Sequence, residues 1–222
     1  MVGEVATIMI DLHTHSLLSD GELLPVELVR RAEAIGCDGI AITDHVDFSN
    51  VEFVMNSLKK LDILRGVWDI TVLFGVEITH VPPSKLGKIV ELSRKLGAEV
   101  VVVHGETTVE PVEKGTNKEA CKTDGVDILA HPGFISEDEA QDALDRGIML
   151  ELSARCGHNR TNGHVAKIAK EVGAELVVNT DAHSPSDLIT HQTAFEIAMG
   201  SGLGEREAEN ILKNAYKFVE GV

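Results

Sequence analysis

Short apolar runs rich in valine and isoleucine recur along this chain, and nearly every one of them ends in histidine, aspartate or glutamate. The runs at 100–103 and 128–130, for example, stop at His104 and His131. Near-continuous runs of this kind are typical of parallel strands that are buried on both faces. Because parallel strands end at one edge of a sheet, the pattern predicts that these polar side chains converge on one site.

Helical patterns separate most of the runs. Three segments, 31–38, 94–99 and 170–175, share a helix end, a glycine, an acidic residue and a following strand-like run. We expect seven strands, near residues 8–12, 39–43, 71–77, 99–103, 127–130, 148–152 and 175–179. A parallel sheet covered by helices is either a closed barrel or an open doubly wound sheet. We favour the barrel, because its end collects side chains from many strands.

Two further segments complete the fold prediction. An amphipathic pattern at about 205–219 predicts a terminal helix that closes the bottom or the side of the barrel. The stretch 105–124 has no clear period, so we expect a long loop at the active face that serves either as a lid or as a surface excursion.

The composition is that of an ordinary globular chain of 222 residues, 43% hydrophobic and 25% charged, so we expect one domain over residues 1–222. Acidic residues outnumber basic ones by 36 to 20, and the formal net charge of −16 disfavours sequence-independent binding to nucleic acid. The three cysteines have no CxxC spacing, and neither a secretion leader nor an apolar stretch of about 18 residues is evident. We therefore expect a cytoplasmic protein without a membrane partner.

The polar ends of the runs have the composition of a metal site. His13 and His15 stand two positions apart, so a strand would point both side chains to one face. An HxH pair carries little weight alone in a chain with ten histidines. Seven more candidates accompany it: Asp20, His45, Glu77, His104, His131, Asp181 and His183. Imidazoles together with carboxylates suit Zn²⁺, Mn²⁺ or Fe²⁺.

Five short motifs carry a family resemblance. They are Leu12-His13-Thr14-His15, Ser19-Asp20-Gly21, Ile42-Thr43-Asp44-His45, Ala130-His131-Pro132 and Thr180-Asp181-Ala182-His183. In this order, over residues 10–190, they resemble the motifs of the PHP (polymerase and histidinol phosphatase) superfamily. The resemblance implies an α/β fold, a distorted (β/α)7 TIM-like barrel of parallel strands surrounded by helices, with two to three divalent metal ions as cofactors.

The resemblance also divides nine ligands among three ions: His13, His15, Glu77 and Asp181 for the first, Glu77, His104 and His131 for the second, and Asp20, His45 and His183 for the third. All nine positions are filled in this chain. A complete set argues against a member that has lost its activity.

The function that the resemblance implies is hydrolysis of a small phosphate ester by a metal-activated water, with a phosphomonoester such as histidinol phosphate as the most natural substrate. The expected catalytic residues are Glu77, Asp181, His183 and Arg155. Arg155 and Arg160 follow the sixth run and are the expected phosphate contacts, because a guanidinium binds phosphate oxygens in a fork. His80 and His158 are candidates for the leaving-group acid, and Asp44 is expected to support a neighbouring ligand.

Three other functions remain open. One is a phosphodiesterase or nuclease that acts on short nucleotides. Another is an amidohydrolase, although such sites usually bridge two metals with a carboxylated lysine where this chain has Glu77. The third is a non-catalytic ribonuclease P-like subunit, which the complete ligand set and the acidic charge oppose. We expect a small phosphorylated substrate as partner, no stable nucleic-acid complex, and possible homo-oligomers.

Overall fold

The computed structural model describes residues 8–221, so residues 1–7 and 222 of the expected domain lie outside the described part. The strands in this part are β1 Ile10–Asp11, β2 Gly39–Ile42, β3 His45–Val46, β4 Thr71–Ile78, β5 Val100–His104, β6 Ile128–Ala130, β7 Met149–Ser153 and β8 Leu176–Asn179. The α-helices are α1 Pro25–Ala34, α2 Val51–Leu58, α3 Leu86–Lys95, α4 Thr116–Ala120, α5 Glu137–Arg146, α6 Asn162–Val172, α7 His191–Gly200 and α8 Glu205–Gly221.

All strand pairings are parallel, in the order β1-β2-β4-β5-β6-β7-β8, and β3 continues the line of β2 and pairs with β4. The register places Ile40 beside Val72 and Gly75 beside Val100. A bridge between Thr14 and Ala182 joins the first segment to the last. The result is a nearly closed barrel of seven parallel strands surrounded by helices, which confirms the predicted (β/α)7 TIM-like fold over the open sheet.

Alternation along the strands creates two cores. On β5, Val101 and Val103 face the helices, whereas Val100 and Val102 face the barrel interior. The interior core is small and apolar, and it extends to Ala215 of α8. The predicted terminal helix therefore packs against one end of the barrel, opposite the end at which the polar strand termini lie.

The junctions between helices and strands also follow the sequence pattern. Gly36, Gly97 and Gly173, the glycines of the three repeated segments, have φ between +84° and +91°, the left-handed conformation that ends a helix. The predicted loop at the active face is present over residues 105–115, where Glu110 reaches the polar end of the barrel, but residues 116–120 form the helix α4. A helix of five residues is too short to show a period in the sequence.

None of the helices in the described range 8–221 combines the length and the apolar character that crossing a bilayer requires.

The close approach of β4 to β5 predicts a large effect for one substitution. A Cβ on Gly75 would lie 2.2 Å from the carbonyl oxygen of Val100, so Gly75→Ala must move a strand. We expect it to lower the free energy of unfolding by about 3 kcal/mol, the upper end for overpacking. Gly87→Ala, in the second position of α3 and with open space around it, is the control and is expected to be neutral or stabilising. Equal urea midpoints for the two variants would contradict this packing.

Candidate metal centre

The barrel interior is polar at the carboxyl ends of the strands. Side chains alternate along each strand, and the interior positions that are apolar near the start of a strand are acids or imidazoles near its end. On β4, Glu77 follows Leu73 and Gly75 on the interior side, and on β5, His104 follows Val102. Glu77 and His104 are both almost completely buried. The carboxyl ends of the strands thus deliver charged groups to a site that the fold otherwise shields from water.

All nine predicted ligands meet at this end of the barrel. Their side-chain donor atoms form four overlapping groups, each within 4.8 Å: His13, His15 and Glu77; His13, His131 and Asp181; Glu77, His104 and His131; and His15, Asp20, His45 and His183. Glu77 is shared between two groups, as the resemblance implies. Two differences from the expected division appear. Asp181 falls in a group with His13 and His131 and not in that of Glu77, and His15 also belongs to the group of Asp20, where its ring stacks on that of His183 with 4.1 Å between centroids.

Glu77 is the centre of the arrangement. Nitrogens of four histidines lie within 3.5 Å of its carboxylate oxygens: His45 at 2.7 Å, His13 at 3.3 Å, and His15 and His131 at 3.5 Å. The Nε2 atoms of His13 and His15 are 3.1 Å apart. Nitrogens that bind one tetrahedral zinc at about 2.0–2.1 Å lie about 3.3 Å from each other. The separations of 3.1–3.5 Å are therefore those of atoms gathered around a cation, whereas the 2.7 Å between His45 and Glu77 is the distance of a close ion pair.

The buried polar atoms at this site also fit metal ions. Both carboxylate oxygens of Glu77, Nδ1 of His15 and His131, and Oδ1 of Asp181 are buried and have no partner in hydrogen-bond geometry, although imidazole nitrogens lie close to the Glu77 oxygens. A buried polar atom without a partner costs about 1–3 kcal/mol, and more when it is charged. Divalent ions bound among these oxygens and nitrogens would satisfy most of them, and the mixture of imidazole and carboxylate donors suits Zn²⁺, Mn²⁺ or Fe²⁺.

Burial and neighbouring charges shift the pKa values of the site in opposite directions. Burial lowers the pKa of His15 to about 3, which leaves its imidazole neutral. Burial would lower the pKa of His45 as well, but Glu77 opposes this effect and raises the pKa to about 9. For Glu77 itself, burial favours the neutral acid, and the imidazoles of His13 and His45 nevertheless hold its pKa well below the usual range. Without ions, protons on some rings neutralise the carboxylates, so ion binding must release protons.

Backbone strain is concentrated at the same place. In the described part of the chain, three residues other than glycine have positive φ: His80 at 53°, His131 at 29° and Asp181 at 53°. Such conformations cost about 1–3 kcal/mol each and persist where the surrounding structure enforces them. All three belong to the polar end of the barrel. Strained residues cluster at functional sites, and here two of them are predicted ligands.

Sequence reasoning missed a carboxylate that orients His13. Glu151 lies on β7 and is fully buried, and its Oε2 is 2.7 Å from Nδ1 of His13. Asn179 donates from Nδ2 to the same oxygen at 3.0 Å. The contact fixes the proton on Nδ1 and leaves Nε2 free to bind an ion. An acidic residue inside an apolar, buried run was the signal that could have found it.

Asp44 lies beside the predicted ligands and makes its hydrogen bonds to the loop after β1. Its oxygens accept hydrogen bonds from the backbone N and Oγ of Ser16, at 2.8 and 2.7 Å, and from Oγ of Ser19 at 2.6 Å. It therefore holds the loop that carries Asp20 and orients no imidazole through a hydrogen bond. Asp44 thus supports the segment of the predicted ligand Asp20 through Ser16 and Ser19, and it does so without contacting a histidine ring.

An open cavity of about 390 Å³ lies over the site, and its lining shows which other predicted residues reach it. Arg155, His80 and His158 line the cavity, together with several of the candidate ligands. Arg160 does not line it: its side chain is exposed, on the short 3-10 helix His158–Thr161. Sequence spacing alone could not separate the two arginines, because the chain turns between them.

The site predicts a pH-dependent affinity for metal ions. Because His13 and His45 must lose protons when an ion binds, we expect Mn²⁺ binding to chelator-treated protein to tighten as the pH rises from about 6 toward 9. Glu77→Gln should weaken binding by about 10-fold or more at any pH. The control is Glu91→Gln, which removes an exposed carboxylate on α3. Calorimetric titrations in which affinity is independent of pH, or in which both variants match the wild type, would contradict the site.

Comparison with known proteins agrees with this geometry. A family model described as PHP domain matches residues 11–117. An uncharacterized protein of Methanocaldococcus jannaschii is 50% identical over 204 residues, which cover 91% of this chain and 94% of that protein. Ribonuclease P protein component 3 of Methanosarcina barkeri is 27% identical over 205 residues, with 85% and 79% covered. A probable phosphatase of Thermoanaerobacter sp. is 25% identical over 225 residues, with 89% and 88% covered.

Two solved structures share the fold. A chain in the cryo-EM structure of an archaeal ribonuclease P with mature tRNA has a TM-score of 0.70 and 17% identity, covering 95% of this chain and 90% of that chain. The crystal structure of histidinol phosphate phosphatase from Lactococcus lactis, complexed with zinc, L-histidinol and phosphate, has a TM-score of 0.63 and 16% identity, covering 88% and 94%. These likenesses concern the fold alone. From the family match and the motifs that meet at one site, the chain belongs to the PHP domain family.

Proposed function

We propose that this protein is a metal-dependent phosphoesterase that hydrolyses a small phosphomonoester. The observation that carries the proposal is that nine imidazole and carboxylate side chains meet at one end of the barrel. Five of them line an open cavity together with one arginine: Asp20, His45, His104, Asp181 and His183. The cavity volume of about 390 Å³ is in the lower part of the range for small-molecule sites. A probable phosphatase among the relatives supports the same reaction class.

In the proposed reaction, the ions and the protein side chains have different roles. Bound divalent ions would activate a water molecule, polarise a phosphoryl oxygen and neutralise the leaving alkoxide. Glu77 and Asp181 contribute the negative charge that holds such ions at the barrel end. Glu151 keeps His13 in the required tautomer through its contact with Nδ1.

We propose Arg155, which lines the cavity, as the residue that contacts the phosphate. Its Nη1 lies 2.7 Å from Nδ1 of His183, and the same Nδ1 lies 2.9 Å from the carbonyl oxygen of Asp181. A neutral imidazole that binds an ion through Nε2 must carry its proton on Nδ1 and donate it to the carbonyl. Nδ1 can then no longer accept from Arg155, while Nη1 keeps its hydrogen bond of 3.1 Å to the carbonyl oxygen of Asp181. That bond would hold the guanidinium at the cavity, and its other N–H groups would donate to oxygens of a bound phosphate.

His158 is our candidate for the proton donor to the leaving group. It lines the cavity on the side of Arg155, and Nδ1 of its buried ring is 2.7 Å from Oγ1 of Thr107. That contact fixes the ring so that Nε2 lies between two carboxylates, 3.4 Å from Oε1 of Glu110 and 4.0 Å from Oδ2 of Asp181. His80 is more exposed and is the second candidate.

The alternative function is a ribonuclease P-like subunit. Similarity to ribonuclease P protein component 3 of Methanosarcina barkeri favours it, and the fold likeness agrees with it. Two observations oppose it. The set of nine ligand candidates is complete and includes strained backbone at His131 and Asp181 and buried atoms without partners, which a subunit without catalysis has no reason to keep. The formal net charge is −16. We propose no stable nucleic-acid partner and a location in the cytoplasm.

A substrate screen tests the proposal directly. Purified protein loaded with Mn²⁺, Zn²⁺ or Fe²⁺ is offered L-histidinol phosphate, p-nitrophenyl phosphate, cyclic and linear phosphodiesters, short oligonucleotides and an N-acyl amide. We expect phosphate release from monoesters, and loss of that release when a chelator removes the ions. If diesters are cleaved faster than monoesters, the proposed function changes from phosphomonoesterase to phosphodiesterase. No release from any phosphate ester by ion-loaded protein would refute both, and stimulation of a ribonuclease P RNA would favour the subunit.

The arginine assignment has its own test. Arg155→Lys keeps the charge and removes the fork, so we expect kcat/KM for the best monoester to fall about 10- to 100-fold, the value of one or two hydrogen bonds to a charged group. Arg160→Lys, five residues along the same loop and outside the cavity, is the matched control and should keep wild-type kinetics. Similar losses in both variants, or none in Arg155→Lys, would remove Arg155 from the substrate site.

A further inference from the structure

The loop between β5 and α4, residues 105–115, brings a carboxylate to the centre that none of the sequence motifs includes. Oε2 of Glu110 lies 3.0 Å from Nε2 of His104, and its Oε1 lies 3.4 Å from Nε2 of His158. The side chain lines the cavity and is 38% exposed, so it stands between the buried ligands and solvent.

The base of this loop is fixed beside the predicted ligands. Oε1 of Glu106 accepts from the backbone N of Gly115 at 2.7 Å and of Asn117 at 3.1 Å. Oδ1 of Asn117 accepts in return from the backbone N of Glu106 at 2.9 Å, and its Nδ2 donates to the carbonyl of Pro132 at 2.7 Å. Pro132 directly follows His131, so the loop that carries Glu110 is tied to the segment that carries a ligand.

The tautomer of His104 shows that its contact with Glu110 requires a cation. Nδ1 of His104 lies 3.2 Å from the carbonyl oxygen of Gly105, which can only accept, so the ring carries a proton on Nδ1. In the neutral ring Nε2 is then an acceptor, and it faces a carboxylate oxygen at 3.0 Å. Two acceptors at this distance require a cation on the line between them or beside it. That cation is either a second proton on the ring or a metal ion.

We propose that Glu110 is a further ligand of the ion that Glu77, His104 and His131 are placed to hold. This inference rests on the metal binding of the proposed function. The separation of 3.0 Å from His104 is close to the spacing of about 3.3 Å between two ligands of one tetrahedral zinc. The same ion would satisfy the buried Glu77 oxygens, which have no hydrogen-bond partner.

The position of Glu110 gives this ligand a distinct property. Glu77, His104 and His131 are buried on the barrel strands or directly after them, whereas Glu110 comes from a loop at the cavity rim. A carboxylate on a loop can leave an ion without disturbing the barrel. It therefore holds the coordination position that is most readily exchanged for an oxygen of an entering ligand.

The test compares two carboxylates of one loop. Glu110→Gln and Glu113→Gln make the same change in charge, and Glu113 is exposed and does not line the cavity. Chelator-treated wild type and both variants are titrated with Co²⁺, and the affinity is read by calorimetry and the ligand geometry by visible absorption. We expect Glu110→Gln to bind one Co²⁺ about 10-fold more weakly with an altered spectrum, and Glu113→Gln to match the wild type.

The outcomes separate the inference from its premise. Wild-type affinity and spectrum in Glu110→Gln, with circular dichroism showing an intact fold, would overturn the ligand role and leave Glu110 as an ion-pair partner of protonated His104. Equal weakening in both variants would show a general charge effect and would also overturn it. A wild-type chain that binds no Co²⁺ would instead defeat the proposed function itself.

Discussion

Buried negative charge at the carboxyl ends of the strands is the constraint on which the rest of the structure depends. Glu77 is fully buried, and neither of its oxygens has a hydrogen bond. Asp181 and Glu151 lie in the same layer and also contain an oxygen without a partner. Carboxylates in such surroundings are tolerated only when cations compensate them. Four imidazole nitrogens around Glu77 show where such cations belong.

The backbone segments that close the barrel also carry predicted metal ligands. The hydrogen bond from His15 N to Ala182 O, at 2.8 Å, and that from Asp181 N to His13 O, at 2.9 Å, join the first strand segment to the last. Three predicted ligands, His13, His15 and Asp181, thus belong to the seam of the barrel, and Asp181 has a strained backbone there. Ions bound here would hold the seam from the inside, which couples metal loading to the stability of the closed barrel.

Much of the fold and of the ligand set could be predicted from the sequence because both depend on local order. A strand followed by His104 or His131 places the ring at the barrel end wherever the barrel closes. The positions of residues in loops depend on the path of the chain, and these positions could not be predicted from the sequence. Glu110 lies in a stretch without a period, and only the anchored base of its loop brings it to His104. Arg160 was expected at the phosphate, yet a short 3-10 helix turns it to solvent.

The most direct test of the central claim is anomalous diffraction from crystals of the full chain soaked in Mn²⁺ and measured above and below the manganese edge. The account predicts at least two peaks at the upper end of the barrel, one of them beside Glu77 between His13 and His131. Crystals that diffract well, hold this arrangement of side chains and show no anomalous peak near Glu77 after soaking would contradict it.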